Sequence, residues 1–169
     1  MIKSYSFAIA ALSVAMAVSF TSCSEDDPIV DANTPTMTHW TEPYHIPGAS
    51  VEEVKAFMSA SMPSHTLAGE YNGAVNTQLT YSSNPSSTGV VYSFTKHDGA
   101  LYSVIDTELN VNQEIVLKYL NAHYTLVPGS GNVASNIQFI FTTADKSTVI
   151  NTVKISDQCF NVSYSFVTK

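Results

Sequence analysis

Two carboxylates, five histidines and two cysteines are the residues whose types and spacing could do chemistry in this chain. Asp106 and Glu108 stand two positions apart, which puts them on one face of an extended strand. A close carboxylate pair is the equipment of glycoside hydrolysis. A solvated strand face is the simpler reading of an alternating polar position, and it is preferred here. His39, His45, His65, His97 and His123 contain no His-x-x-x-His and no Glu-x-x-His pair, so no metal site is expected. Cys159 alternates with Phe160 and Val162 and shares a face with Asn161, Ser163 and Ser165. With no local histidine or cation to lower its pKa, it is read as a structural thiol near a strand start. Gly129-Ser130-Gly131 lacks the lysine and the strand–loop–helix setting of a phosphate loop, and is read as a turn. No catalytic set and no cofactor motif emerges, so the expectation is a protein that is not an enzyme. Trp40, Tyr44, Tyr71 and Tyr81 are the candidate binding residues, because aromatic side chains anchor protein and sugar partners. Trp40 and Tyr44 are equally suited to pin the incoming chain to the domain.

The other cysteine has a different setting. Met1-Ile2-Lys3 is a short positive start, Phe7 to Phe20 is apolar apart from Ser13 and Ser19, and Thr21-Ser22 precede Cys23. Charged start, apolar middle and small residues at the end are the layout of a secretory signal. The run is short of the roughly 20 apolar residues of a membrane-spanning helix. Phe20-Thr21-Ser22-Cys23 resembles a lipobox, the motif that directs diacylglyceryl transfer to a cysteine thiol, with Phe20 departing from the usual leucine. That resemblance implies cleavage before Cys23 and a membrane anchor through lipid on Cys23. Ser24, Glu25, Asp26 and Asp27 resemble the acidic surface-export signal of Bacteroidota lipoproteins, which implies the outer membrane and exposure at the cell surface. A solvated tether that leaves the domain facing the periplasm is the alternative.

Charge narrows the partners. The net charge is −7, and the seven basic residues are all lysines. Without arginine forks or a basic stripe, nucleic acid is not an expected partner. Nor is there a basic patch for anionic headgroups.

The positioning elements read as a mixture. Ser50 and Glu53 form a capping box ahead of an apolar stripe of Val51, Val54, Phe57, Met58 and Met62, and Pro63 stops that helix. A second helix is expected over 112–123, with Ile115, Val116, Tyr119 and Leu120 inward and Asn110 with Gln113 as cap pair. Between and after the helices the pattern has period two. Its sets are Val75-Thr77-Leu79-Tyr81, Val90-Tyr92-Phe94, Leu101-Ser103-Ile105, Ile137-Phe139-Phe141, Val149-Asn151-Val153-Ile155 and Phe160-Val162-Tyr164-Phe166. Asp98-Gly99 marks a hairpin.

The halves resemble each other. Asn76 to Ser83 aligns with Asn136 to Thr143, and His65-Thr66-Leu67 with Tyr124-Thr125-Leu126. The expected fold class is therefore α+β, an antiparallel sheet with helices packed on one face, built from two tandem αβββ repeats. The organisation is a signal peptide over 1–22, a lipidated cysteine and disordered acidic tether over 23–39, and one domain over 40–169. Repeat one would span about 48–109 and repeat two about 110–169. The stretch from Trp40 to Met58 resembles the opening of small uncharacterised Bacteroidota lipoproteins. Its Gly48-x-Ser50-x-x-Glu53-Val54 core is similar to helix starts in outer-membrane assembly lipoproteins and β-lactamase-inhibitor-protein-like domains, which implies protein binding. The expected function is a noncatalytic, surface-anchored module for a protein or glycan partner. The alternative is a periplasm-facing structural or assembly lipoprotein.

Overall fold

The structure is a computed structural model; it describes residues 34–83, 87–131 and 138–167. Cys23, Ser24, Glu25, Asp26 and Asp27, with the signal segment and Ile137, lie outside the described residues. The element order is α1 (Val51–Ser61), β1 (Thr66–Asn72), β2 (Asn76–Ser82), β3 (Gly89–Thr95) and β4 (Leu101–Leu109). A 3-10 turn at Asn110–Asn112 follows, then α2 (Gln113–His123), β5 (Thr125–Leu126), β6 (Gln138–Thr142), β7 (Thr148–Lys154) and β8 (Cys159–Phe166). All eight strands form one antiparallel sheet in the order β1-β2-β3-β4-β8-β7-β6-β5. The fold is α+β.

α1 begins where the sequence places it. Ser50 Oγ accepts from Glu53 N at 3.3 Å, and Ser50 N donates to Glu53 Oε2 at 2.8 Å. These bonds satisfy orphan first-turn donors and hold the Glu53 carboxyl below its usual range. Val54, Met58 and Met62 are buried, in step with the period of the stripe. The cap expected for α2 does not form: Asn110 Nδ2 donates to the Ser156 carbonyl at 3.1 Å, and the helix enters through the 3-10 turn instead.

Each helix is followed by four strands, where three were expected. The additional strands are the sheet edges β1 and β5, the two segments matched as Thr66-Leu67 and Thr125-Leu126. They escape the period-two reading because every residue of both is exposed, so neither has an apolar face to reveal.

One face of the sheet carries the core. Leu79, Val90, Tyr92, Phe94, Val104, Phe141, Ile150, Phe160, Val162 and Tyr164 are buried in one cluster with Val54 and Met58 of α1 and Val116 and Leu120 of α2. Burial of each such side chain contributes about 1.5–3 kcal/mol relative to exposure. Two of the expected strand faces are inverted. A register shift between Ser93 and Phe94 lets Leu101 pair with Phe94 on the core side, and the bulge then turns Val104 and Asp106 inward and Ser103 and Ile105 outward. In β7 the buried residues are Thr148, Ile150 and Thr152, so the Val149-Asn151-Val153 set faces out. The outer face is paired through polar side chains: Gln78 Nε2 to Ser93 Oγ at 3.2 Å, Thr107 Oγ1 to Asn161 Oδ1 at 2.9 Å, and Gln138 Nε2 to Asn151 Oδ1 at 3.0 Å. The Asp98-Gly99 hairpin forms as expected, with Gly99 at φ 67° and Asp98 Oδ1 accepting from Ala100 N at 3.2 Å.

Candidate functional site

The segment that leads into α1 is built into the domain. Its docking begins at Thr36, inside the stretch assigned from sequence to the tether. Thr36 N donates to Asn112 Oδ1 at 2.9 Å, and Asn112 Nδ2 donates back to Thr36 Oγ1 at 2.8 Å. Met37 packs against the core cluster. Trp40 is 5% exposed and sits edge-on to Tyr119 of α2 at 5.2 Å, while Tyr44 packs on Phe57 of α1 at 5.3 Å. This strap therefore contacts both helices.

Below Trp40 lies the carboxylate pair. The indole Nε1–H donates to Asp106 Oδ2 at 3.0 Å, and Asp106 is 1% exposed. Its other oxygen, Oδ1, is buried and has no hydrogen-bond partner among the described residues. Burial holds the Asp106 carboxyl well above the usual carboxylate range, and the neighbouring Glu108 carboxyl adds to the effect. Burial also pushes Glu108 up to about 7, against N–H groups of Asn112 and Trp40 that favour its ionised form. Among the described residues no lysine or histidine nitrogen lies within ion-pair distance of either acid. The solvated strand face expected for this pair is therefore overturned: the bulge at Leu101–Ser103 turned both acids to the helix side.

A second polar node holds the other end of the strap. The Glu42 carboxylate accepts three tyrosine hydroxyls: Tyr119 on Oε2 at 3.0 Å, and Tyr124 at 2.6 Å and Tyr164 at 2.9 Å on Oε1. His45 stacks on Tyr164 at 4.7 Å, with its Nε2 3.1 Å from the Tyr124 hydroxyl and 3.9 Å from Glu42 Oε1. Nδ1 of His45 faces the Pro43 carbonyl at 2.8 Å, and since a carbonyl only accepts, Nδ1 carries the proton there. Desolvation and the Glu42 charge raise all three phenols, Tyr119 to about 12. These hydroxyls stay protonated and serve as donors.

Two grooves flank the strap. One, of about 470 Å³, is lined by Trp40, Glu42, Tyr44, His45, Phe57 and Tyr119 among others. The other, of about 430 Å³, is lined by residues including Thr36, His39, Trp40, His65, Glu108 and Asn112. Asp106 reaches neither groove, so the two acids do not flank a common substrate position as a glycosidase pair would. Glu42 has three of its roughly four acceptor sites taken by the tyrosines and acts as a structural acceptor. Both nodes fasten the strap.

The four candidate aromatics separate. Trp40 and Tyr81 are each 5% exposed and are withdrawn as surface anchors, Trp40 because its N–H serves Asp106 and Tyr81 because its strand face is the core face. Tyr44 is half-buried against Phe57, in the pinning role. Tyr71 alone is fully presented, at 60% exposure on edge strand β1. Cys159 is buried at the start of β8. The histidines are dispersed, and among the described residues no three His, Cys, Asp or Glu side chains gather as a metal set. Glu42, Tyr119, Tyr124 and Tyr164 were not singled out from sequence as a group. Their separations of 77, 82 and 122 positions leave no local spacing to detect.

No protein-family model, curated protein or solved structure matches the chain.

Proposed function

We propose that the chain is an exported lipoprotein anchored through Cys23, and that its domain is a noncatalytic module binding a protein or glycan partner at the outer membrane surface. The anchor rests on the signal-like start, the Thr21-Ser22-Cys23 motif and the acidic Ser24-Glu25-Asp26-Asp27 that follows. The observation that carries the binding role is edge strand β1, seven residues exposed along their whole length and bearing Tyr71. An edge strand offers a row of backbone donors and acceptors to an added polypeptide strand, and a large aromatic beside it supplies an anchor. The opposite edge, β5, has only two residues, so the two edges are not equivalent. Glu70, paired with Lys55 at 2.8 Å, and the register shift at Leu67–Gly69 limit indiscriminate self-pairing of β1.

The domain itself is proposed to be a tandem duplication, with the unit revised to αββββ and both helices on one face. The mirrored strand order about the β4–β8 pair supports this, as does the match of Thr66-Leu67 with Thr125-Leu126.

Three measurements test the function. Proteinase shaving of intact cells should remove the domain while a periplasmic control survives; protection until lysis would move the reading to a periplasm-facing assembly lipoprotein. Cys23→Ser should shift the protein from the detergent phase to the aqueous phase. A photoreactive residue at position 71 should give higher-mass adducts on living cells, with none from the buried position 81. No adduct at 71 would remove β1 as the docking edge.

A further inference from the structure

The strap has an arrangement that a purely structural clasp does not need. Its central residue, Trp40, lies over a carboxyl group with one hydrogen-bond donor and one unpartnered oxygen. A second carboxyl follows at the next inward position of the same strand, roughly 7 Å along. An apolar pair of the same size would fill this place more stably, because a buried charge without a partner is costly.

The groups facing the two acids give Glu108 the N–H donors of Asn112, Trp40 and Leu109 but leave one oxygen of Asp106 without a donor. The strap supplies Trp40 and, in the groove beside Glu108, His39; the chain after α1 supplies His65 to that groove. Tyr92 of β3 and Tyr164 of β8 are the titratable neighbours of Asp106, and both are neutral phenols held further from ionisation by its proximity. Asn112, ahead of α2, contacts Glu108 and grips Thr36. Among the described residues no cation stands within ion-pair distance.

We propose that residues 36–41 are a pH-operated latch, docked while Asp106 and Glu108 are protonated and released when both ionise. Ionised, the two acids repel each other; Glu108 borders the second groove, whereas Asp106 is sealed from water beneath Trp40. Displacing Trp40 admits water to Asp106, while the three tyrosine hydroxyls on Glu42 still hold the strap beyond residue 41. Release frees six residues, up to about 20 Å of extended chain. That this lengthens a membrane tether rests on the proposed anchor at Cys23; the latch itself does not.

Trp40 is the only tryptophan in the chain, so its emission reports the strap directly. The experiment follows tryptophan emission and acrylamide quenching of the full chain in detergent from pH 5 to pH 9, with far-UV circular dichroism alongside. Expected is a blue-shifted, protected emission at pH 5 that moves red and becomes quenchable above neutrality, with the strand signal unchanged. The Asp106→Asn/Glu108→Gln double variant should stay blue-shifted throughout. On the unmodified chain, amide exchange over 37–41, corrected for intrinsic pH dependence, should lose protection by about tenfold per pH unit where one acid ionises on release and about a hundredfold where both do, relative to β4 and β8. Constant emission and constant strap protection across the range would overturn the proposal. So would a red shift that persists in the double variant, or one that occurs only together with loss of the strand signal.

Discussion

Glu108→Gln should remove a pH dependence of stability whose size follows from the burial of that carboxyl. In the folded domain Glu108 is raised from an ordinary 4.5 to about 7, so between those values the folded state holds a proton that the unfolded chain has lost. Stability is therefore complete below about pH 4.5, falls as pH rises, and levels off above about 7. One pKa unit corresponds to about 1.4 kcal/mol, so the loss across the window is about 3 kcal/mol. Asp106 is shifted in the same direction and adds to it. Glu53, Asp98 and Asp145 are shifted downward by local hydrogen bonds, Asp145 to about 2, and their influence falls below this window, whereas His65, lowered by burial, opposes the loss within it equally in wild type and variant. The glutamine variant keeps the side chain's shape and its acceptor oxygen for Asn112 while removing the ionisation. Urea unfolding at pH 5, 6, 7 and 8 is the assay. With an m value of about 2 kcal/mol/M, the wild-type midpoint should drop by roughly 1–2 M between pH 5 and pH 7.5. The variant should retain only the part due to Asp106. A wild type and variant whose midpoints change in parallel over this range would refute the reasoning, because His65 acts alike in both and only Glu108 differs.

Trp40→Phe leaves both Asp106 oxygens without a donor and removes part of the contact with Tyr119, and should cost about 2–4 kcal/mol by urea unfolding at neutral pH. Its deficit should shrink in the Asp106→Asn background, and equal costs in both backgrounds would show that the hydrogen bond contributes nothing. Ser50→Ala removes the acceptor of the α1 capping box and should cost about 1 kcal/mol, with Ser50→Asp retaining most of the stability. Gly89→Ala places a Cβ 2.2 Å from the Tyr81 carbonyl oxygen in the β2–β3 pair, at φ 156°. A loss of about 2–4 kcal/mol is expected from thermal or urea unfolding, and an unchanged midpoint would refute the placement of that strand.

Where an element carries its own local signal, the sequence and the structure agree. Ser50 and Glu53 are three positions apart and cap each other, and Asp98-Gly99 turns the hairpin because a glycine accommodates φ 67°. What the pattern does not encode is phase after an irregularity. The chain of Leu101, Ser103 and Ile105 alternates as a strand should, yet the shift opposite Ser93–Phe94 inverts the face from Val104 onward. That one bulge decides the site, because it carries Asp106 and Glu108 from the expected solvent side to a position under Trp40. Tyr81 shows the other limit: its alternation with Leu79 was legible, but a tyrosine at such a position is compatible with a wet hydroxyl or with full burial, and only the packed face decides.

The same bulge explains why polar groups occupy the centre of an otherwise apolar face. β4 and β8 are the middle strands, and Val104 pairs with Tyr164 while Asp106 pairs with Val162. Here the sheet is met by the strap, through Trp40 on Asp106 and Glu42 on Tyr164. A strap of apolar residues over an apolar floor could slide by a residue or more, since hydrophobic contact is non-directional. Two hydrogen-bonded nodes two residues apart on the strap admit one register only. The cost of that specificity is a buried acid without a cation, and the cost grows with pH. If the strap is undocked by alkali while the strands persist, specificity and release come from the same pair of side chains. If alkali unfolds strap and sheet together, Asp106 serves specificity alone.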